Sequence, residues 1–254
     1  MMTTWLFARK ELVVAWRRHR VLLVGALFLL FGLQSPLIAK LTPDLMRSVL
    51  GSDLPLKLPT PTSVDSWTQF YKNLTQLGLF LVALVFSNTV SQAVSRGTLV
   101  NLVTKGLPRY AVILAKYLVA AGLWLSALLM SFGVTWAYTR YYFPDDLTPH
   151  VWRGLLPLAL FGLLLLALTV LGSALTRSSF TGFLAAAAGF VTLSLIGLIP
   201  AAHRFDPLSL AQDNLALVTG SKALHTFVPA MGLSVALIVI CLGLAIWRLN
   251  RTKL

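Results

Sequence analysis

The chain has 254 residues, 57% of them hydrophobic and only 11% charged, with 21 Lys and Arg against 8 Asp and Glu for a net charge of +13. A soluble domain carries about 25% charged residues, whereas mean hydropathy here is +0.80. That excludes a polar shell around a soluble core and makes the chain a polytopic membrane protein, whose length counts spans rather than domains. The apolar runs also argue against a nucleic-acid binder, and basic cytoplasmic loops account for the positive excess.

A bilayer core about 30 Å thick takes roughly 20 apolar residues to cross as a helix. Before the first such run, residues 1–20 predict a helix lying in the membrane interface. On a helical wheel Trp5, Leu12 and Trp16 align, with Leu6 and Val13 beside them, while Lys10, Arg17 and Arg18 lie elsewhere. The pattern is imperfect, because Arg9 falls on the apolar side and Phe7 and Val14 on the polar one. Tryptophans and cations at a headgroup boundary suit such a helix, and the cations also serve to orient the span that follows.

Six charge-free windows have spanning length: Val21–Ala39, Asn73–Ser95, Tyr117–Thr139, Gly154–Thr176, Ser178–Ala202 and Ala223–Trp247. The expected fold is therefore all-α, with an interfacial helix over 1–20 and a six-helix transmembrane domain over 21–254. The first window is too long for a signal peptide and has no small-x-small cleavage site after it. In the segment from 40 to 72, Thr42 and Pro43 read as the cap and first residue of a short helix, and prolines at 55, 59 and 61 forbid a regular helix after it. Asn73-Leu74-Thr75 and Asn250-Arg251-Thr252 match glycosylation acceptors but abut the membrane, and both read as chance. Between spans two and three, residues 94–116 carry Arg96, Lys105, Arg109 and Lys116 and no acid. Within them Leu99, Leu102 and Val103 form a helix-spaced apolar face that Gly106 and Pro108 end. After the third span, Tyr141, Tyr142, Phe143 and Trp152 make an aromatic belt. Residues 203–225 are too apolar for a solvated loop and too interrupted to span. They read either as a re-entrant pair of helices or as an ordinary helix packed on the outer face.

With both termini inside, the cytoplasmic segments hold thirteen cations and one acid, Glu11, and the outer segments hold eight cations and all seven aspartates. The Lys/Arg bias then orients the protein with both termini in the cytoplasm.

No span contains Asp, Glu, Lys or Arg. Charges in mid-membrane usually mark ion or proton pathways, so a proton-driven pump is disfavoured. Ser87, Asn88, Ser91 and Gln92 cluster on the cytoplasmic half of the second span. They read either as interhelical hydrogen-bonding groups or as the lining of a substrate path. Metal-hydrolase, nucleophile-elbow and phosphate-loop motifs are missing. The one cysteine, Cys241, allows neither an intrachain disulfide nor a cysteine metal cluster. A membrane enzyme is accordingly disfavoured, and any ATP-driven work must draw on a partner.

The stretch SRGTLVNLVTKGLPRYAVILAK resembles the cytoplasmic loop of the six-helix permease subunits of ATP-binding-cassette exporters, the type-two membrane-domain family. Gly97-Thr98-Leu99, Pro108, Arg109 and Lys116 stand where that pattern places them. Ser95 stands where the family usually has a glutamate. The basic segment before span one resembles the family's interfacial elbow, and 203–225 its outer re-entrant helices. The resemblance implies a coupling helix at 94–109, with Arg96, Gly97, Thr98, Leu99, Leu102, Pro108 and Arg109 facing a cytoplasmic nucleotide-binding ATPase. It further implies ATP and magnesium on that partner with no cofactor on this chain, a second permease subunit, the same or a sister chain, and a multi-pass protein of the bacterial plasma membrane. An uncharged set of spans suits an amphipathic or lipid-like cargo, such as a peptide antibiotic. The alternative is a non-transporting binder, an immunity or sensory protein capturing a peptide or lipid at its outer loops. The plain alternative for the loop at 94–109 is a solvated basic turn.

Overall fold

A computed structural model of the protein describes residues 2–50, 60–95, 108–176, 180–197 and 203–251, and among these every regular element is helical. Helix α1 covers Met2–Arg17 and α2 covers Arg20–Leu50. Between them His19 takes a left-handed backbone at φ 58° and turns the chain. The second long run is assembled from α3 (Ser63–Asn73), a π-helical turn (Leu74–Gly78), α4 (Leu79–Phe86) and α5 (Ser91–Ser95). Helices α6 (Arg109–Tyr142), α7 (Val151–Leu175) and α8 (Thr181–Gly197) follow. Two short pieces, α9 (Ser209–Gln212) and α10 (Asn214–Val218), precede the final α11 (Val228–Arg251).

Among the described residues, five helices are long and apolar enough to cross a membrane: Arg20–Leu45, Ser63–Ala93, Arg109–Tyr142, Val151–Leu175 and Leu224–Arg251. The chain is a multi-pass helical membrane protein. The fifth window of the sequence, 178–202, holds α8, which is 17 residues long. At 1.5 Å per residue that is about 26 Å, short of a full hydrocarbon core; both ends of that window lie outside the described residues.

Helices α6 and α7 form the centre. In each, 61% of the most apolar window is buried within the protein, against 33% for α2 and 22% for α11. Helix α6 packs on α1, α2 and α7, while α7 packs on α4, α8, α10 and α11. Large side chains fill this seam. Trp124 stacks edge-on against Phe28 with centroids 5.7 Å apart and donates its indole N–H to Ala159 O at 3.0 Å. Gly162 lies under the Trp124 ring, where any Cβ would overlap it.

The first span carries a proline in its middle. Pro36 has no N–H, so the carbonyl four residues back, on Gly32, loses its helical partner. Thr135 of α6 supplies the replacement, its hydroxyl donating to Gly32 O at 3.1 Å. Glycine at 32 is what lets the two backbones close, since a Cβ there would meet Ser131 O at 2.7 Å. A second break, at 87–90 in the second span, is repaired the same way. The amides of Val90 and Ser91 both donate to Ser173 Oγ of α7 at 3.0 Å.

Two boundaries differ from the sequence reading. Thr42 caps nothing: α2 runs unbroken through Pro43, and the Thr42 hydroxyl donates back to Ile38 O at 2.6 Å, as mid-helix threonines do. Helix α3 begins at Ser63, ten residues before the apolar window opens. Asp65 accepts from the Thr62 amide at 2.8 Å and its hydroxyl at 3.0 Å and so starts the helix. Ser66, Trp67, Phe70 and Tyr71 then bury one face despite the charges at 65 and 72. Asn73 is a tie within the bundle, donating to Ser35 Oγ at 3.3 Å.

Residues 203–225 form 3₁₀ turns and the short helices α9 and α10, with Leu208, Leu210, Leu217 and Val218 buried. They are fastened to the bundle by Thr75 Oγ1 donating to Ala211 O and by the His150 amide donating to Val218 O, both at 3.1 Å. Thr75 sits in the π turn, which swings it out of the ordinary helical register.

Replacing Thr135 with valine keeps the shape and removes the donor to Gly32 O. The expected loss is about 1 kcal/mol, read as a lowered melting temperature of the detergent-solubilised protein, with Thr135→Ser close to wild type.

Candidate functional site

Both described ends of the chain meet at one end of the bundle, and the basic side chains gather there. Helix α1 lies against α6 through Phe7, Ala8 and Ala15, all buried, with Glu11 on the same face. Glu11 is the only glutamate in the chain. It accepts from the Lys116 ammonium at 3.0 Å, and their side chains are 17% and 6% exposed. The outward face of α1 keeps Leu12, Val13 and Trp16 exposed, with Arg17 and Arg18 at its end. Trp5 lies within α1, and its side chain is outside the described set.

From the turn after α1, Arg18 donates to Gln92 Oε1 at 2.8 Å, and Arg20 donates to Asn88 Oδ1 at 2.8 Å and Thr89 Oγ1 at 3.4 Å. Arg20 also rests over the Phe86 ring, 5.9 Å from its centroid. These residues enclose a cavity of about 180 Å³ between α1, the start of α2, the end of the second span and α6. Across the start of α6, Pro108 is the extended residue ahead of the helix. The Arg109 guanidinium donates to Leu249 O at 2.8 Å and Asn250 O at 2.9 Å. Those carbonyls lie in the last described turn of α11, where a cation is favoured by the helix dipole.

Arg96, Gly97, Thr98, Leu99 and Leu102 lie outside the described residues. The helices that flank their segment are held from both sides: Arg18 and Arg20 bind the stretch before it, Glu11 and the α11 terminus the stretch after it. Of Ser87, Asn88, Ser91 and Gln92, the candidates for a substrate path, Asn88 and Gln92 accept from these arginines and each lines a cavity. Ser87 donates to Leu84 O at 2.8 Å, and the buried Ser91 hydroxyl has no partner. The Glu11–Lys116 pair escaped the sequence reading because 105 residues separate its members. The one available signal was a lone glutamate in an otherwise basic segment.

At the opposite end the aspartate-bearing segments close over the bundle. Asp145 sits at the N-terminus of α3, where it accepts from the Ser63 amide at 2.8 Å, from the Ser63 hydroxyl and from the Leu147 amide at 3.2 Å. Partial burial pushes this carboxyl upward, but the donated bonds outweigh that and hold it below its usual value. Lys222 pairs with Asp213 at 2.7 Å. Beneath this cover a cavity of about 490 Å³ is lined by Tyr71, Lys72, Gln76, Phe80 and Phe190, a mixture of polar and aromatic groups. Among the described residues no group of three or more His, Cys, Asp or Glu converges to hold a metal ion. No protein-family model matches the chain, and no curated protein matches it in sequence.

Lys116→Met strands Glu11 under α1 without its cation. We expect about 3 kcal/mol of destabilisation, the lower end for a broken buried pair because Glu11 keeps some solvent. Thermal melts of the single variant and of Glu11→Gln/Lys116→Met should show the double variant recovering part of the loss. For Asp145 the sign is that of a lowered carboxyl: its contribution is complete above the ordinary carboxylate value and is lost as pH falls through the lowered one. Melting temperature followed against pH should drop on the acid side, and Asp145→Asn should flatten that drop.

Proposed function

We propose that the chain is the membrane-spanning permease subunit of an ATP-driven exporter, worked by a separate cytoplasmic nucleotide-binding ATPase. The observation that carries this reading is the way the basic segment between spans two and three is anchored. The turn before it is gripped by Arg18 and Arg20, and the helix after it by Glu11 and by the end of α11. A push delivered to residues 96–107 would reach α1, α2, α4, α6 and α11 at once. Each of these contacts is a charge-assisted bond or ion pair, and those of Arg20, of Lys116 with Glu11 and of Arg109 with Leu249 are partly buried, which strengthens them.

The cation bias assigns that end to the cytoplasm, where an ATPase would carry ATP and magnesium. The outward faces of α2 and α11 leave room for a second permease subunit, identical or sister, beside lipid. Val235, Val239, Ile240 and Leu244 of α11 are all exposed. The mixed lining of the outer cavity suits an amphipathic or lipid-like cargo moved outward across the plasma membrane. In this reading Arg96, Gly97, Thr98, Leu99 and Leu102 form the contact with the ATPase. Arg109 serves as the hinge pin that ties that contact to α11.

The assignment is tested by isolating the protein from its native membrane in mild detergent. A nucleotide-hydrolysing subunit should co-purify, and Arg96→Glu should weaken its retention. Gly97→Pro should leave the complex assembled and cut substrate-stimulated ATP turnover roughly tenfold or more. Arg109 is left alone in this experiment because its substitution would also break its bonds to α11. Recovery of the chain with no ATPase, or unchanged turnover in Gly97→Pro, would remove the exporter assignment.

A further inference from the structure

Where α1 turns into α2, two cavities share the same two arginines. The first is the 180 Å³ cavity beside the Glu11–Lys116 pair. The second, about 550 Å³, opens next to it between the start of α2 and the end of α4. Arg18 and Arg20 line both, Lys10 and Lys116 add to the first, and Glu11 is the only acidic residue among the described residues that line either. Four Lys and Arg side chains therefore face one carboxylate, and that carboxylate is engaged by Lys116.

The hydrogen bonds of the two arginines go to neutral oxygens. Gln92 orients Arg18, and Asn88 with Thr89 orients Arg20. Amide and hydroxyl acceptors fix the direction of a guanidinium without cancelling its charge, and Arg20 is half-buried besides. Positioned, uncompensated guanidiniums are the arrangement that takes a phosphate or phosphodiester.

What lies beneath them selects among phosphates. The second cavity is walled by Leu22, Leu23 and Leu84, which are 55%, 49% and 41% exposed. These leucines begin the outward, bilayer-facing surfaces of α2 and α4. A charged head at the level of Arg18 and Arg20, followed at once by an apolar groove running into the hydrocarbon, has the polarity profile of a phospholipid.

We propose that this cleft is a binding site for an anionic phospholipid. Its headgroup phosphate is held by Arg18 and Arg20, and one acyl chain lies along Leu22, Leu23 and Leu84. The site depends on the chain spanning a bilayer and not on the export reading. The bound lipid bridges α1, α2 and α4 and makes the turn at His19 a membrane-sensing joint. Free inorganic phosphate shares the head chemistry but leaves the leucine groove unfilled.

Titrating phosphatidylglycerol or phosphatidylcholine into the purified protein in neutral detergent, with bound lipids counted by native mass spectrometry, tests the site. Phosphatidylglycerol should bind tighter than phosphatidylcholine by roughly tenfold or more, and Arg18→Gln/Arg20→Gln should weaken it roughly twentyfold, down to the phosphatidylcholine level. Arg140→Gln, an exposed cation at the other end of α6, should change nothing. Inorganic phosphate at matched concentration should not displace the lipid. Equal binding of the two lipids, undiminished binding in the double variant, or full displacement by phosphate would each overturn the proposal. Melting temperature in lipid-free detergent reports whether the double variant is folded. If it is not, Arg18→Gln alone, at an exposed position, decides the matter through a roughly fivefold loss.

Discussion

Inside hydrocarbon, a backbone carbonyl or amide that loses its helical partner has no water to turn to, so another part of the protein must satisfy it. Two such losses organise this bundle. Pro36 frees the Gly32 carbonyl, and Thr135 answers it. The break at 87–90 frees the amides of Val90 and Ser91, and Ser173 answers both. At the described end of α11, Arg109 donates to the carbonyls of Leu249 and Asn250 as well. Each of these bonds joins two helices, so each also fixes where they sit. An apolar face alone cannot do that in a bilayer, because lipid tails are as good a neighbour as leucine.

The same reasoning explains why small residues lie at the close approaches. Gly32 brings the donor of Thr135 within reach of its carbonyl. Gly182 lets α8 pass over the carbonyls of Ser87 and Thr169, beside the break that Ser173 repairs. Irregular backbone and close packing thus occur together in the second span, at the polar cluster of 87–92.

Helix α1 shows how one short segment serves two environments. Its imperfect amphipathic pattern comes from having two apolar faces. Phe7, Ala8 and Ala15 pack on α6 while Leu12, Val13 and Trp16 point away from the bundle. A helical wheel with one core and one solvent leaves Phe7 among the polar residues, whereas here it is buried. Between the two faces Glu11 is drawn onto Lys116, which makes the N-terminal segment an integral part of the end where the basic residues gather. Under the proposed function, that end is where an external motor would act.

The all-helical class, the membrane location and most of the spans were legible from hydropathy, because the length of a charge-free run is a local quantity set by bilayer thickness. The clustering of basic residues outside the spans was legible for the same reason. Tertiary structure decided the rest. Hydropathy stops at a charge, yet α3 continues outward past Lys72 and Asp65, since its buried face and its cap are contacts with other segments. Thr42-Pro43 looked like a helix start, yet α2 runs straight through it. Lys116 with Glu11, Arg20 with Asn88 and Arg109 with Asn250 are separated by 105, 68 and 141 residues. Only the fold brings such partners within 3 Å, because side chains that repair and clamp a helical bundle must come from its other helices.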